Sequence, residues 1–247
     1  MKAAFQNNLL NILNNQWQGM DMNFGRLQGY VPMEKNIVYF RRGNDELSLN
    51  ITNACPNACV FCIRDYDLGW GVSNLYMDRD PDIKEILGAF DQEAQWISEE
   101  GTSIKRVKIC GYGEPILRFN DLASIVTHVK KKCPKTTIQL TTTRWPYFRF
   151  ISQDTAPLRE LKAAGLDIIY LSLHALDEEQ YKRLVRPGIT TYDTNAFSDS
   201  LRFARATREA GFQLKLGFIR VGAVDELGIK ALAAELDAEY ELREFEK

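Results

Sequence analysis

Apolar and polar residues alternate with two different periods from residue 46 to the end of the chain. In "ELSLNIT" (46–52) and "LDIIYLSLHA" (166–175) the apolar residues recur at every second position, which is typical of strands. In "PDIKEILGAFDQEAQWISEEG" (81–101) they recur every three or four positions, as on one face of a helix. The whole pattern predicts six strands, at 46–52, 105–111, 137–143, 166–175, 212–222 and 240–246.

Helical patterns fill the intervals between these strands. They cover residues 81–101, 120–132, 156–165, 177–185, 194–211 and 224–238. Strands that alternate with helices form parallel sheets with right-handed crossovers. We therefore predict an α/β fold, a partial (βα)6 TIM-like barrel over residues 46–247, preceded by residues 1–45 as an N-terminal extension packed on it. Functional residues of such barrels gather on the loops that follow the strands.

Composition and charge narrow the class of protein. The 247 residues carry a formal net charge of −2, so nothing indicates a nucleic-acid coat or a membrane-surface protein. No run of eighteen apolar residues predicts a membrane span, and the start of the chain lacks the pattern of a secretory signal. The five cysteines are an odd number and poorly placed for disulfides, so we expect a reducing cytoplasm.

Three of the cysteines lie within eight positions, in "CPNACVFC" (55–62), directly after the first predicted strand. Cysteine thiolates bind zinc or iron–sulfur clusters. A closed zinc site would need a fourth ligand, for which the candidates are Cys110, Cys133, His128 and His174. A [4Fe–4S] cluster would use three cysteines and leave one iron open to a ligand that is not protein. The cysteines alone leave both possibilities open.

The motif formed by Cys55, Cys59 and Cys62 resembles the cluster motif of the radical S-adenosylmethionine (SAM) superfamily. The resemblance implies that these cysteines bind a [4Fe–4S] cluster and that SAM chelates the open iron. Phe61 occupies the position of an aromatic residue that in the family lies beside the adenine of SAM. The resemblance covers residues 46–246, nearly the whole chain, and is greatest to the short TatD-associated radical SAM proteins.

A second element, "CGYGEP" (110–115), ends the second predicted strand and resembles the Gly-Gly-Glu-Pro stretch of the same family, with Tyr112 in place of the first glycine. Backbone carbonyls near Gly113 and the carboxylate of Glu114 are expected to hold the ammonium group of SAM. Glycine at this position allows the backbone to approach a ligand closely.

Further SAM-binding residues are expected on the later strands. Thr141 faces inward if strand 137–143 alternates regularly. The resemblance places Ser172 near the ribose or carboxylate of SAM, and the partial Gly-x-Ile pattern of Gly217 and Ile219 places the isoleucine against adenine. His174 either reaches the substrate or is a hydrogen-bonded interior histidine. Ile219 is equally well explained as a core residue.

The activity implied by the resemblance is that of an iron–sulfur oxidoreductase. The cluster, reduced by a one-electron donor such as flavodoxin or ferredoxin, cleaves SAM to a 5′-deoxyadenosyl radical. That radical abstracts hydrogen from an unknown small-molecule or protein substrate. The segment 65–80 is expected to shape substrate entry. The rim residues Arg144 and Trp145 either contact substrate or belong to an exposed loop, and the exposed loop is the favoured interpretation. The inward residues Ser48, Asn50 and Thr52 are expected to satisfy buried hydrogen bonds more readily than to act in catalysis.

Several alternatives remain at this point. Within the superfamily, the chain also fits a glycyl-radical-enzyme activase or an enzyme of the deazapurine-synthase type. From another class, it fits a zinc-stabilised binding protein. No cysteine follows Gly222, which disfavours a second cluster and methyl transfer through a covalent cysteine.

Overall fold

The computed structural model describes residues 36–41, 43–65, 75–143, 155–188 and 195–245. Most of the predicted N-terminal extension, most of the predicted substrate-entry segment and the rim residues Arg144 and Trp145 lie outside these ranges. The chain divides into two compact units, residues 1–31 and residues 32–247, and the described residues belong to the second.

A single sheet organises the described part of the chain. Its strands are β1 (Val38–Arg41), β2 (Glu46–Leu49), β3 (Arg106–Ile109), β4 (Thr137–Thr142), β5 (Ile168–Ser172), β6 (Gln213–Arg220) and β7 (Glu239–Glu244). Their order in the sheet is the order of the sequence, with β1 at one edge and β7 at the other. The pairs from β2 to β7 are parallel, as predicted, and the arrangement is that of a partial barrel.

Helices connect the parallel strands. They are α1 (Ile83–Glu99), α2 (Phe119–Lys132), α3 (Ala156–Ala164), α4 (Glu178–Val185), α5 (Ala196–Glu209) and α6 (Glu226–Glu235). Their ends follow from local chemistry. Asp82 and Glu85 form a reciprocal capping box at the start of α1, and Gly165 ends α3 with a φ of 107° that favours glycine. No helix in the described ranges is long and apolar enough to cross a membrane.

The two faces of the strands differ in chemistry. Ile169, Leu171 and Leu173 belong to the hydrophobic core. Tyr170, Ser172 and His174, which alternate with them, are buried outside that core, on the inner face of the barrel. The alternation predicted for residues 166–175 is therefore observed, and the inner face carries the polar groups.

Strand β1 was missed in the sequence because it is short and lies in the segment assigned to the extension. It pairs antiparallel with β2, with Val38 opposite Leu49 and Arg41 opposite Glu46. Four residues are too few to show a period, and only pairing with β2 identifies them as a strand.

Candidate functional site

The cysteine loop begins directly after β2 and is attached to the end of α4. The backbone N–H of Ala58 donates to the carbonyl of Arg186 at 3.0 Å, and that of Val60 donates to Leu184 at 2.9 Å. Cys55, Cys59 and Cys62 are half-buried and form no disulfide. A short loop is therefore fixed by backbone hydrogen bonds at the carboxyl end of the barrel, with three free thiols in it.

The electrostatics of the three thiols show that they lie close together. Burial, together with the nearby charge of Glu114, raises the pKa of Cys55 to about 12. Burial also raises the pKa of Cys59, with contributions from Cys55 and Cys62. Three neighbouring thiols become thiolates together only when a positive charge compensates them, as metal ions do.

Arg64 already contributes positive charge to this loop. Its Nε donates to Sγ of Cys62 at 3.3 Å, and its Nη1 donates to the carbonyl of Asn53 at 3.3 Å. Arg64 was not among the residues singled out from the sequence. The available signal was a basic residue two positions after the last cysteine of the motif.

The GYGEP loop after β3 is held against the start of the cysteine loop. The Oδ1 of Asn50 accepts from the backbone N–H of Tyr112 at 3.1 Å, and the backbone N–H of Glu114 donates to Ala54 at 2.8 Å. A Cβ at Gly113 would overlap the carbonyl oxygens of Thr52 and Ala54. The two loops therefore approach each other so closely that only glycine fits at position 113.

Glu114 lies at the centre of a small hydrogen-bond network and is 1% exposed. Its Oε2 accepts from the backbone N–H and the hydroxyl of Thr143, each at 2.7 Å, and its Oε1 accepts from Ile116 at 3.2 Å. Burial raises the pKa of this carboxyl, while the hydrogen bonds from Thr143 oppose the rise. Asn57 Nδ2 donates to the same Thr143 hydroxyl at 2.8 Å. The network ties both loops to the end of β4.

On the opposite side of the cysteine loop, the Phe61 ring meets the His174 ring edge to face, with centroids 4.5 Å apart. His174 follows β5, has a left-handed φ of 58° and is buried. Burial and the charge of Arg243 lower the pKa of His174 to about 3. The imidazole is therefore neutral at physiological pH.

A cavity of 270 Å³ opens next to these rings. Its walls combine apolar and polar groups, among them Val60, His174, Gln180, Phe218, Ile219 and Asp225. From the sequence, Ile219 could be either an adenine contact or a core residue. In the structure it lines a cavity beside the cysteine loop.

The remaining predicted residues lie on the same rim or inner face. Ser172 is buried and pairs in the sheet with Gly217. Thr141 is half-buried on β4, and its hydroxyl accepts from Gln139 Nε2 at 3.2 Å. Asn50 and Thr52 satisfy buried hydrogen bonds, since Asn50 donates to Leu75 at 2.8 Å and Thr52 donates to Asp80 at 2.6 Å.

Three of the four candidates for a fourth zinc ligand have other neighbours. Cys110 is half-buried and its thiol lies 3.9 Å from the Lys108 carbonyl oxygen, and His128 contacts Asp91 at 2.7 Å between α2 and α1. Cys133 follows the last residue of α2. Within the described ranges, no three His, Cys, Asp or Glu side chains surround a single ion position.

Comparison with known families gives one match that covers most of the barrel. The model of the Radical SAM superfamily matches residues 49–222, from the end of β2 to the loop after β6. The match includes the cysteine loop, the GYGEP loop and the cavity residues of β6.

Two relatives of similar sequence are GTP 3′,8-cyclases. The GTP 3′,8-cyclase of Paenarthrobacter nicotinovorans is 28% identical over 215 residues, which are 85% of this chain and 52% of that protein. The GTP 3′,8-cyclase of Limosilactobacillus fermentum is 27% identical over 195 residues, 79% of this chain and 52% of the relative. The chain thus spans about half the length of the curated relatives it matches.

Two solved structures illustrate the similarity of fold. Streptococcus suis SuiB bound to precursor peptide SuiA has a TM-score of 0.60 at 13% identity, covering 99% of this chain and 52% of that one. A radical SAM methyltransferase from Sphaerobacter thermophilus has a TM-score of 0.57 at 15% identity, covering 84% and 57% of the two chains. At these identities the likeness concerns the fold alone, and it agrees with the partial barrel.

Proposed function

The chain belongs to the radical SAM superfamily, whose cofactors are a [4Fe–4S] cluster and SAM, and we propose that it holds both at the rim formed by the cysteine and GYGEP loops. The observation that carries the proposal is the closure of these loops on each other. Three free thiols lie in one loop, and the other is attached to it by the Glu114 to Ala54 hydrogen bond.

The cluster ligands are Cys55, Cys59 and Cys62. The donor set fits, because burial raises the pKa of Cys55 and of Cys59, and thiols of high pKa need a compensating cation to ionise. Iron supplies that charge. Arg64 adds a hydrogen bond to the sulfur of the third ligand, Cys62.

SAM lies between the two loops and the cavity of 270 Å³. Backbone carbonyls near Tyr112 and Gly113 receive its ammonium group, and Glu114 holds their loop in place. Thr143 and Ile116 already donate to the carboxylate of Glu114, so that side chain acts mainly by positioning.

The other residues predicted to contact SAM lie on the rim or the inner face of the barrel. Phe61 and Ile219 enclose the adenine, since Phe61 borders His174 and Ile219 lines the cavity that His174 shares. Ser172 contacts the ribose or the carboxylate of SAM. Thr141, on β4, is the remaining SAM contact assigned to the chain.

Bound there, the cofactors supply a 5′-deoxyadenosyl radical that abstracts a hydrogen atom from the substrate. The residues of the chain bind, orient and exclude water, as proteins do around reactive cofactors. Phe61, Ile219 and the apolar part of the cavity wall shield the reacting atoms. His174, neutral because of burial and Arg243, offers a hydrogen-bonding ring without adding charge.

The reaction also needs an electron donor and a substrate. We assign the first role to a one-electron carrier such as flavodoxin or ferredoxin in the cytoplasm. Because the chain spans half of the GTP 3′,8-cyclases it matches, their named reaction is not transferred to it whole.

Anaerobic reconstitution with iron and sulfide tests the proposal. The protein is incubated with dithionite and SAM, and 5′-deoxyadenosine is quantified by chromatography. We expect slow release of 5′-deoxyadenosine that requires both dithionite and reconstituted iron. A colourless protein that retains zinc and releases none contradicts the proposal.

A further inference from the structure

Three buried polar atoms on the inner face of the barrel lack a hydrogen-bond partner. Within the described residues, no well-formed hydrogen bond reaches the Tyr170 hydroxyl, Nδ1 of His174 or Nε of Arg243. Tyr170 is 5% exposed and His174 is 7% exposed. Buried polar side chains are normally hydrogen-bonded, so an unpaired group in a native interior calls for a ligand or an ordered water.

The three side chains come from β5, the residues just after it and β7, and they lie close together. The Arg243 guanidinium carbon, from β7, lies 5.9 Å from the centre of the Tyr170 ring on β5. Burial raises the pKa of Tyr170 to about 12, and the charge of Arg243, together with a polar contact of its guanidinium with the hydroxyl that is too poorly aligned for a well-formed hydrogen bond, opposes that rise. The same charge lowers the pKa of His174. Arg243 therefore lies near both residues on the inner face, on the far side of β6 from Tyr170.

The local charge is positive. Glu241 on β7 is near enough to influence Tyr170, but Lys215 Nζ pairs with it at 3.1 Å. Deeper in the barrel, Glu46 pairs with Lys108 at 2.7 Å. Arg243 is half-buried and forms no ion pair with a carboxylate of the described residues, so its guanidinium remains available to an anion.

The position of Tyr170 depends on a glycine of the neighbouring strand. A Cβ at Gly217 would overlap the Tyr170 ring and its hydroxyl oxygen. In the sequence, Gly217 stood out only as part of a pattern with Ile219. The structure gives it a separate role, because the missing side chain lets the Tyr170 ring lie across β6.

From this geometry we infer that Tyr170, His174 and Arg243 form an anion-binding cluster for a phosphate or carboxylate group of the substrate. An arginine guanidinium matches either group with two parallel hydrogen bonds, and the tyrosine hydroxyl adds a third donor. His174 touches Phe61, the residue before the last cysteine of the motif, so a bound anion keeps the substrate beside the cofactors. The inference rests on the proposed function for the position of the cofactors.

The carboxylate of SAM itself is a second possible source of the same chemistry. The two sources are separated by measuring anion binding to protein already saturated with SAM. Reconstituted protein is titrated calorimetrically with inorganic pyrophosphate and, separately, with malonate, and the affinity for SAM is measured in parallel. The variants are Arg243→Gln and Tyr170→Phe. The matched control is Arg205→Gln, whose exposed guanidinium pairs with Glu235 at 2.8 Å on the surface.

We expect at least one anion to bind the SAM-saturated wild type and the control equally well. Its dissociation constant should rise about tenfold in Tyr170→Phe, as expected for loss of one hydrogen bond to a charged group, and by more than that in Arg243→Gln, which also removes the charge. The affinity for SAM should stay within about twofold, because only the anion loses a contact. Tyr170→Phe keeps the ring over Gly217, so this variant remains informative if Arg243→Gln does not fold.

Three results overturn the inference. They are absence of binding by both anions to the wild type, equal affinity of wild type and both variants, or a loss of SAM affinity with unchanged anion affinity. The last result would assign the cluster to the carboxylate of SAM. Release of 5′-deoxyadenosine from the same preparation shows separately whether the proposed function holds.

Discussion

The two sides of the rim differ in how their polar groups are satisfied. On the cysteine side, the carboxylate of Glu114, the amide of Asn50 and the hydroxyl of Thr52 all bond to other parts of the protein. Two atoms there, Asn57 Oδ1 and Thr142 Oγ1, have no described partner. On the side of β5 and β7, Tyr170 and Arg243 each leave a buried polar atom without a described partner.

The two sides therefore suit two different tasks, holding fixed cofactors and binding a substrate. Hydrogen bonds between the loops fix their geometry before any ligand arrives, which suits a site whose cofactors do not change. Unpaired groups of the inner face remain available to a molecule that enters and leaves. The superfamily match covers both sides up to residue 222, whereas Arg243 lies beyond it. The proposed anion-binding cluster therefore includes a residue outside the matched region.

Removing a cluster ligand is the strongest way to break the cysteine side. Cys59→Ala is expected to abolish both bound iron–sulfide and release of 5′-deoxyadenosine, because only two protein ligands remain. Cys133→Ala, half-buried after α2, is the matched control and should retain both. Iron analysis and chromatography measure the outcome, and cleavage that persists without Cys59 would mean that the ligands are wrongly assigned.

A side chain placed where the two loops touch should have the next largest effect. In Gly113→Ala the new methyl group would meet the carbonyls of Thr52 and Ala54, so the loops must separate. We expect the free energy of unfolding to fall by about 2 kcal/mol and bound iron to decrease severalfold.

The matched glycine for this test lies on the exposed face of α1. A methyl group at Gly88 would meet no atom within 4 Å apart from its chain neighbours and the backbone of its own helix, so Gly88→Ala should keep the iron and gain up to about 1 kcal/mol from helix propensity. Denaturant unfolding and iron analysis compare the two. Equal behaviour of the variants would show that the close approach of the loops is unimportant.

The pH dependence of stability tests the other side of the rim. The pKa of His174 is about 3 in the folded protein against 6.5 in the unfolded chain, so the unfolded chain binds a proton more readily between these values. The contribution to stability is complete above pH 6.5 and is lost as the pH falls toward 3. Between pH 7 and pH 5 the wild type should lose about 2 kcal/mol through this residue.

In His174→Gln, the stability lost between pH 7 and pH 5 should be smaller than in the wild type by this amount. In the control His128→Gln, on the helix surface beside Asp91, the loss should equal that of the wild type. Urea unfolding at both pH values measures the difference. If His174→Gln loses as much stability as the wild type, burial and Arg243 do not keep this imidazole neutral.

The smallest expected effect concerns the potential of the cluster. Arg64 donates to the Cys62 sulfur, and hydrogen bonds to cluster sulfurs stabilise the reduced state. Arg64→Met should lower the midpoint potential by about 60 mV, equivalent to one hydrogen bond to a charged group. Arg64→Lys, which keeps the charge, should lower it less. A redox titration followed by electron paramagnetic resonance gives both values, and unchanged potentials would show that Arg64 does not tune the cluster.

The fold was largely predictable because its signals are local. The apolar row of Ile169, Leu171 and Leu173 already distinguishes the two faces of β5, and the six predicted parallel strands are all present. Strand β1 was not predicted, because its four residues become a strand only by pairing with β2.

The parts of the site formed by contiguous motifs could be predicted from the sequence. The parts formed by contacts between residues far apart in the sequence could not. "CPNACVFC" and "CGYGEP" each fall within one loop, so sequence alone places them on the rim. The cluster of Tyr170 and Arg243 joins strands more than seventy positions apart, and it depends on the missing side chain of Gly217. No spacing in the sequence carries that information, because the contact arises from strand order and register.

The most direct measurement is electron paramagnetic resonance of the anaerobically reconstituted and reduced protein, recorded with and without SAM. We expect the signal of a reduced [4Fe–4S] cluster that changes shape when SAM is added, because SAM binds the iron that has no cysteine. A cluster signal that SAM leaves unchanged, or a colourless protein with zinc in the cysteine loop, would contradict the proposed function.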